Sequence, residues 1–306
     1  KWLPSANAGK ESRKKAIQII NDCGLDEKGY RKILSYLRKR IDLVESKMCK
    51  KEWGKIDYSK VPSKASLIYR DAFNNHDNYR YSQYLEDVSS GKTKINAGTL
   101  YPHEIVNNYS TEIMRCWSSR VKNLDPTLEE LWKALPRDFE AAGDILVVRD
   151  GSGSMTDGGL NQISPMSIAT ALAIYFSETL KGDFKDKYLT FSRTAEVIDL
   201  SHCKTLKDKL EVSYDEDDCS NTNIKNVFDT VLKVAIQGNM TQEEMPSSIL
   251  ILSDMEFDGN CFTWNESLFK EISEEYERNG YKLPRLVFWN LFSRSKTIPI
   301  IDNEQG

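Results

Sequence analysis

From Lys10 to about Glu45 apolar residues recur at helical spacing, first Ala16, Ile17, Ile19 and Ile20, then Tyr30, Ile33, Leu34, Leu37, Ile41 and Val44, with lysine and arginine between them. The pattern predicts two amphipathic helices broken near Gly24. Further helices are expected from Ala65 to Phe73, from Tyr79 to Val88, from Pro102 to Tyr109, from Thr111 to Val121 and from Leu128 to Leu135. Residues 1–142 therefore read as an all-helical domain, with Gly91 to Leu100 as its main irregular stretch.

After Ala142-Gly143 the periodicity changes. Ile145 to Val148 is a short β-branched run closed by a glycine-rich loop, the mark of a buried parallel strand. A nearly all-round apolar helix is expected from Ser167 to Leu180, followed by strands at Tyr188–Phe191 and Ala195–Leu200. A helix from Ile224 to Ile236, a strand from Ser248 to Leu252, a helix from Glu266 to Tyr276 and a strand from Arg285 to Leu291 complete the series. Strands alternating with helices predict an α/β domain over residues 143–306, a doubly wound, Rossmann-like parallel sheet covered on both faces. Ligands of such sheets sit where loops converge beyond the carboxyl ends of the strands.

Composition agrees with this picture and narrows it. With 306 residues, 40% hydrophobic and 29% charged, and no apolar run approaching the length of a membrane span, the chain is of the globular class. The six cysteines never form C-x-x-C, which argues against a zinc ribbon or a redox motif and for reduced thiols. The chain begins at Lys1 without an apolar signal segment, so a trimmed product and a cytoplasmic address are expected. The net charge of −4 conceals an asymmetry: residues 1–143 carry 26 Lys+Arg against 19 Asp+Glu, the remainder 16 against 27. Arg13, Lys14 and Lys15, with Arg38, Lys39 and Arg40, form the densest basic clusters, able to meet phosphate backbones or simply to solvate a helix face.

The chemistry concentrates at two strand ends and one helix start. The loop Asp150-Gly151-Ser152-Gly153-Ser154 places oxygen side chains at alternate positions between glycines, and Ser253-Asp254 closes a second strand. Thr222 precedes the helix at Ile224. Carboxylates mixed with neutral hydroxyls make an oxygen cage for a small hard cation, Mg²⁺ first, with Mn²⁺ or Ca²⁺ as substitutes. With few anionic ligands such an ion stays electrophilic toward one further anionic oxygen.

The sequence D-x-S-x-S, followed by a distant Thr and a distant Asp, resembles the metal-ion-dependent adhesion site of von Willebrand factor A domains. The resemblance implies Asp150, Ser152, Ser154, Thr222 and Asp254 as the metal set, with Ser152 and Ser154 as direct ligands, Thr222 in one state and Asp254 through water. The stretches WGKIDYSKVPSKA (Trp53 to Ala65), GTLYPHEI (Gly98 to Ile105), TNIKNVFDTVLKVA (Thr222 to Ala235), SDMEFD (Ser253 to Asp258) and LVFWNL (Leu286 to Leu291) look like the uncharacterised domain-of-unknown-function family 2828. That family joins a helical region to a von Willebrand A-like domain. The Ro autoantigen group, a helical ring that binds small RNAs joined to such a domain, is similar in architecture only. Two departures stand out. Arg149 occupies a position these strands usually give to an apolar residue, and the sequence stops at Gly306 shortly after Ile298–Ile301, where an A domain would be expected to add its last strand and helix.

Taken together these features imply a non-enzymatic protein that captures an Asp or Glu carboxylate of a protein partner through Mg²⁺. An RNA-binding component using the helical domain and a metal-dependent phosphoester hydrolase are the alternatives. The hydrolase lacks an evident general base and a phosphate-cradling lysine. No phosphate-loop or dinucleotide fingerprint occurs, so no nucleotide cofactor is expected, and no membrane partner either. His76, His103 and His202 lack zinc spacing, and the run Asp215 to Asp218 lacks the spacing of a calcium loop.

Overall fold

The computed structural model describes residues 3–111, 120–137, 145–156, 163–191, 195–215, 224–254 and 266–291. By their internal contacts the residues fall into two compact units, Lys1–Ile95 and Asn96–Gly306.

The first unit is helical. Helices α1 (Lys10–Asp22) and α2 (Glu27–Arg40) pair around Ala16, Ile20, Tyr30 and Leu34, with Gly24 in the left-handed conformation at the turn. The Asp26 carboxylate accepts the Gly29 amide at 2.8 Å and so starts α2. Helix α3 (Val44–Cys49) leads into two short 3₁₀ turns and then α4 (Ser63–Ser89). The pattern predicts two helices here, and the non-helical backbone of Asp77 (φ −145°, ψ 41°) divides this span into two at a kink. Asp77 accepts from the Tyr58 hydroxyl and from Arg80, both at 2.8 Å, and Arg80 also donates to the carbonyls of Trp53 and Ile56. The WGKIDYSK segment is thereby a strap held against the kink, and His76 stacks on Trp53 with 4.4 Å between ring centroids.

The second unit begins well before Gly143, where the hydrophobic periodicity changes. Helix α5 (Pro102–Tyr109), with Ile105, Val106 and Tyr109 fully buried, packs on α7 (Pro165–Ser177), and α6 (Pro126–Lys133) packs on α8 (Leu206–Asp215). Where a helix is expected over Thr111–Val121, the described ends form a short antiparallel pair instead, β1 (Ser110–Thr111) with β2 (Arg120–Val121).

The sheet contains β3 (Ile145–Asp150), β4 (Lys187–Phe191), β5 (Glu196–Asp199), β6 (Ser248–Ser253) and β7 (Arg285–Asn290) in the order β5-β4-β3-β6-β7. It is mixed rather than wholly parallel, because β5 runs antiparallel to β4. The physical reason lies in the connection: only four residues separate these strands, enough for a hairpin and far too few for a crossover helix. The other pairs are parallel.

Strand alternation divides the core. Leu146, Val148, Ile249 and Ile251 join Val227, Phe228 and Val231 of α9 (Ile224–Gln237) and Ile272 and Tyr276 of α10 (Glu266–Arg278). The opposite face is covered by α7, which the sheet and α5 bury nearly all round. Helix α8 is the element that hydrophobic periodicity overlooks, since Leu206, Leu210 and Tyr214 are its only large apolar side chains among charged ones apart from Val212.

Candidate functional site

The chain runs outward from β3 in both directions, first to β4 and β5 on one side, then to β6 and β7 on the other. The switch between these directions falls between the carboxyl ends of β3 and β6. In open α/β sheets that crevice is where ligands bind. Arg149 pairs with Leu252 in the parallel register, so the next residues, Asp150 and Ser253, stand side by side at this crevice.

Asp150 and Asp254 are each only 1% exposed. The Ser253 hydroxyl donates to Asp150 Oδ2 at 2.6 Å, and the Ser152 amide donates to Asp150 Oδ1 at 2.8 Å. The second bond closes an Asx turn, so the loop does not continue as the extended segment that alternation suggests. A 3₁₀ turn over Gly153–Thr156 follows, pinned by the buried Met155 side chain. The Ser152 and Ser154 hydroxyls nevertheless meet, with their oxygens 3.0 Å apart and both side chains half-buried. Carboxylates lie beneath and hydroxyls face the mouth.

Burial drives the Asp150 carboxyl above the ordinary carboxylate range, and the charge of Asp254 pushes the same way. The hydrogen bonds from Ser253 and Ser152 act in the opposite sense, holding the charged form. Two buried carboxylates this close form a site that a cation would neutralise. The donor set is entirely oxygen, and neighbouring ligands about 2.1 Å from an octahedral ion lie about 3.0 Å apart, close to the serine separation. The residues thus fit Mg²⁺ in donor type and spacing. Among the described residues no cluster of three or more His, Cys, Asp or Glu offers a competing site.

Of the sequence-derived set, Asp150, Ser152, Ser154 and Asp254 come together at the ends of β3 and β6; Thr222 lies outside the described residues. Ser253 is the member that sequence reasoning missed, although its place in the strand opposite Asp150 is a usable signal. Arg149 turns out not to face the cage. Its guanidinium projects to the other side of the sheet, donating to Thr170 Oγ1 at 2.9 Å and to the Ser213 carbonyl at 3.1 Å, with the Tyr188 ring 5.5 Å away. His76 and His103 stack on Trp53 and Tyr101, and the run after Asp215 lies outside the described residues.

The model of a domain of unknown function, DUF7788, matches residues 144–306. The chain belongs to this family. A second model of unknown function, DUF2828, matches residues 9–145, so the resemblance to that family holds for the first part of this DUF7788 chain. The two models meet at 144/145, whereas the contacts divide at 95/96. The DUF7788 chain is 31% identical over 328 aligned positions to "Uncharacterized protein L728" of Acanthamoeba polyphaga mimivirus. The alignment takes in 100% of the chain and 54% of that relative, so the chain spans about half the relative's length. No solved structure matches. Among the described residues no helix is long and apolar enough to cross a membrane.

Proposed function

We propose that the α/β unit is a von Willebrand A-like recognition module in which Asp150, Ser152, Ser154, Thr222 and Asp254 hold Mg²⁺, and that the ion captures a carboxylate of a protein partner. The observation that carries the reading is the meeting of two serine hydroxyls and two buried carboxylates at the switch point between β3 and β6. The strand order, with an antiparallel β5 at one edge, supports the same family of folds.

The chemistry favours recognition over turnover. Hydroxyls engaged by a metal are not released as nucleophiles, and the Asp150 carboxylate is already held by the Ser253 hydroxyl and the Ser152 amide. What this chain supplies is orientation. Ser253 and the Ser152 amide hold the two Asp150 oxygens, and the half-buried serines define the mouth through which an anionic group would approach. A bound divalent ion would supply the positive charge that such a group meets.

Isothermal titration of Mg²⁺ into the wild-type chain and into Asp150→Ala tests this reading. Saturable binding to the wild type that disappears in the variant is expected. Identical heats for the two proteins would end the metal assignment.

A further inference from the structure

The first unit presents a cationic face of its own. Across residues 10–40 stand ten Lys and Arg against four Asp and Glu. Helix α2 buries only Tyr30 and Leu34, so most of its circumference meets solvent. At about 100° per residue, Arg31 and Arg38 form one row and Lys28, Lys32 and Lys39 a second, with Ser35 between them, all within a sector about 120° wide. These six side chains are exposed. Ile33 and Leu37, the exposed aliphatic residues of the helix, lie about 160–200° around from Ser35, beside the buried Tyr30 and Leu34. The charge continues onto α1. Glu27 is shared by Arg13 at 3.7 Å and Arg31 at 2.9 Å, so the arginine row of α2 meets Arg13, which lines one cleft with Lys10, Lys14, Glu11 and Ile17. Lys28, Lys32, Arg38 and Lys39 form no ion pair among the described residues.

We infer that this face binds duplex DNA, with α2 lying along the major groove and its two rows of cations reaching the phosphates on either side. A helix with its side chains is about 10–12 Å across, and the major groove of B-form DNA, about 12 Å wide, admits one. From Lys28 to Lys39 the rows extend about 16 Å along the helix axis, a length over which a duplex offers several phosphates on each strand. Such contacts position the helix without reading bases, so binding is largely independent of sequence. The other polyanions share the charge and not the fit. A protein partner needs an apolar centre from which lysine is depleted, and within this sector α2 carries no apolar side chain. A bilayer is held by inserted apolar groups, and Ile33 and Leu37 stand on the far side of the helix. Duplex RNA has a major groove too narrow for side chains to enter, and single strands need stacking rings, of which the sector has none.

The test uses the full chain in EDTA, which keeps the outcome independent of the metal site, and a fluorescein-labelled 20-base-pair DNA duplex of mixed sequence, read by anisotropy across a range of salt. A 20-base-pair RNA duplex, a 20-nucleotide oligouridylate, phosphatidylserine-containing vesicles and a polyglutamate peptide serve as the other arms. Saturable binding of the DNA duplex is expected, and engagement of about five phosphates gives a slope of about −4 to −5 in log affinity against log salt. Arg38→Gln with Lys39→Gln, one cation from each row, should shrink that slope by about 2 and weaken binding at least tenfold. Lys60→Gln with Lys92→Gln removes two exposed lysines elsewhere on the same unit and should change neither quantity. Circular dichroism melts check that the variants fold, and Lys28→Gln with Lys32→Gln supplies an independent pair on the same face. Failure of the DNA duplex to bind at low salt would overturn the proposal, as would equal losses in the two lysine controls and the face variants. Tighter binding of any other arm, lost in the face variants, would overturn it in favour of that ligand.

Discussion

Ser253 reaches across the seam between β3 and β6 to donate its hydroxyl to Asp150 Oδ2 at 2.6 Å. The bond joins the two strands at the point where the chain reverses its direction of travel through the sheet, and it fixes one oxygen of a carboxylate that is otherwise taken out of water. Groups that orient a ligand without touching the metal typically change affinity by about 10–100-fold when removed. Ser253→Ala is therefore expected to weaken Mg²⁺ binding by about tenfold or more without unfolding the protein. Titration calorimetry beside a thermal melt checks both parts, and wild-type affinity in the variant would show that Ser253 does not position Asp150.

Arg149 is expected to act on stability instead. Its guanidinium is fully buried and ties β3 to Thr170 of α7 and to the last turn of α8. Arg149→Met removes these bonds and leaves the Ser213 carbonyl short of a donor, at a cost of about 2–4 kcal/mol. Chemical denaturation measures the loss, and a variant as stable as the wild type would contradict the buried arrangement.

Glu129 of α6 performs a comparable task at longer range. Its carboxylate accepts the Tyr109 hydroxyl at 2.7 Å and the backbone amides of Leu206 and Lys207 at 2.8 and 3.2 Å, so a side chain 77 residues away caps the start of α8. Glu129→Ala should lower stability by about 2–4 kcal/mol, because a buried hydroxyl and two helix-end amides lose a charged acceptor together. In the same way, a fragment of residues 96–306 should fold cooperatively, and one of residues 144–306 should not. The shorter piece strips α5 and α6 from apolar α7, and it removes Trp132, whose indole donates to Glu178 at 2.9 Å. A sharp melt from the shorter fragment would refute the assignment of these helices to the second unit.

Alkaline pH probes the buried phenols. Burial, the largest cause in each case, raises the hydroxyls of Tyr58, Tyr109 and Tyr276 well above their ordinary range and pushes Tyr84 up to about 12. Unfolded tyrosines lose their protons near pH 10, so the native state binds these protons more tightly. Their contribution to stability is complete below about pH 10 and is lost as pH rises from there. Absorbance at 295 nm should show these four ionising late, together with unfolding. Ionisation of these four near pH 10 in a protein that stays folded would contradict the packing.

Much of the fold is legible in the periodicity. The runs Ile145–Val148 and Ser248–Leu252 are strands buried beyond their first residues, and the all-round apolar helix after Ser164 is covered on both sides. What periodicity does not carry is pairing direction and domain membership. The antiparallel β5 follows from a four-residue link, and α5 and α6 join the α/β unit through Ile105, Val106 and Leu131, whose spacing looks the same whichever unit they pack on. The candidate site was legible in Asp150, Ser152, Ser154 and Asp254 because oxygen side chains cluster at strand ends. Ser253 was hidden because its role depends on strand register, a long-range property that a local motif does not encode.

Crystals grown with Mn²⁺ and measured at the manganese absorption edge test the central claim most directly. The account predicts one strong anomalous peak about 2.2 Å from the Ser152 and Ser154 hydroxyl oxygens, in the crevice above Asp150 and Asp254. A map with no peak in that crevice, or with its strongest peak elsewhere on the chain, would contradict it.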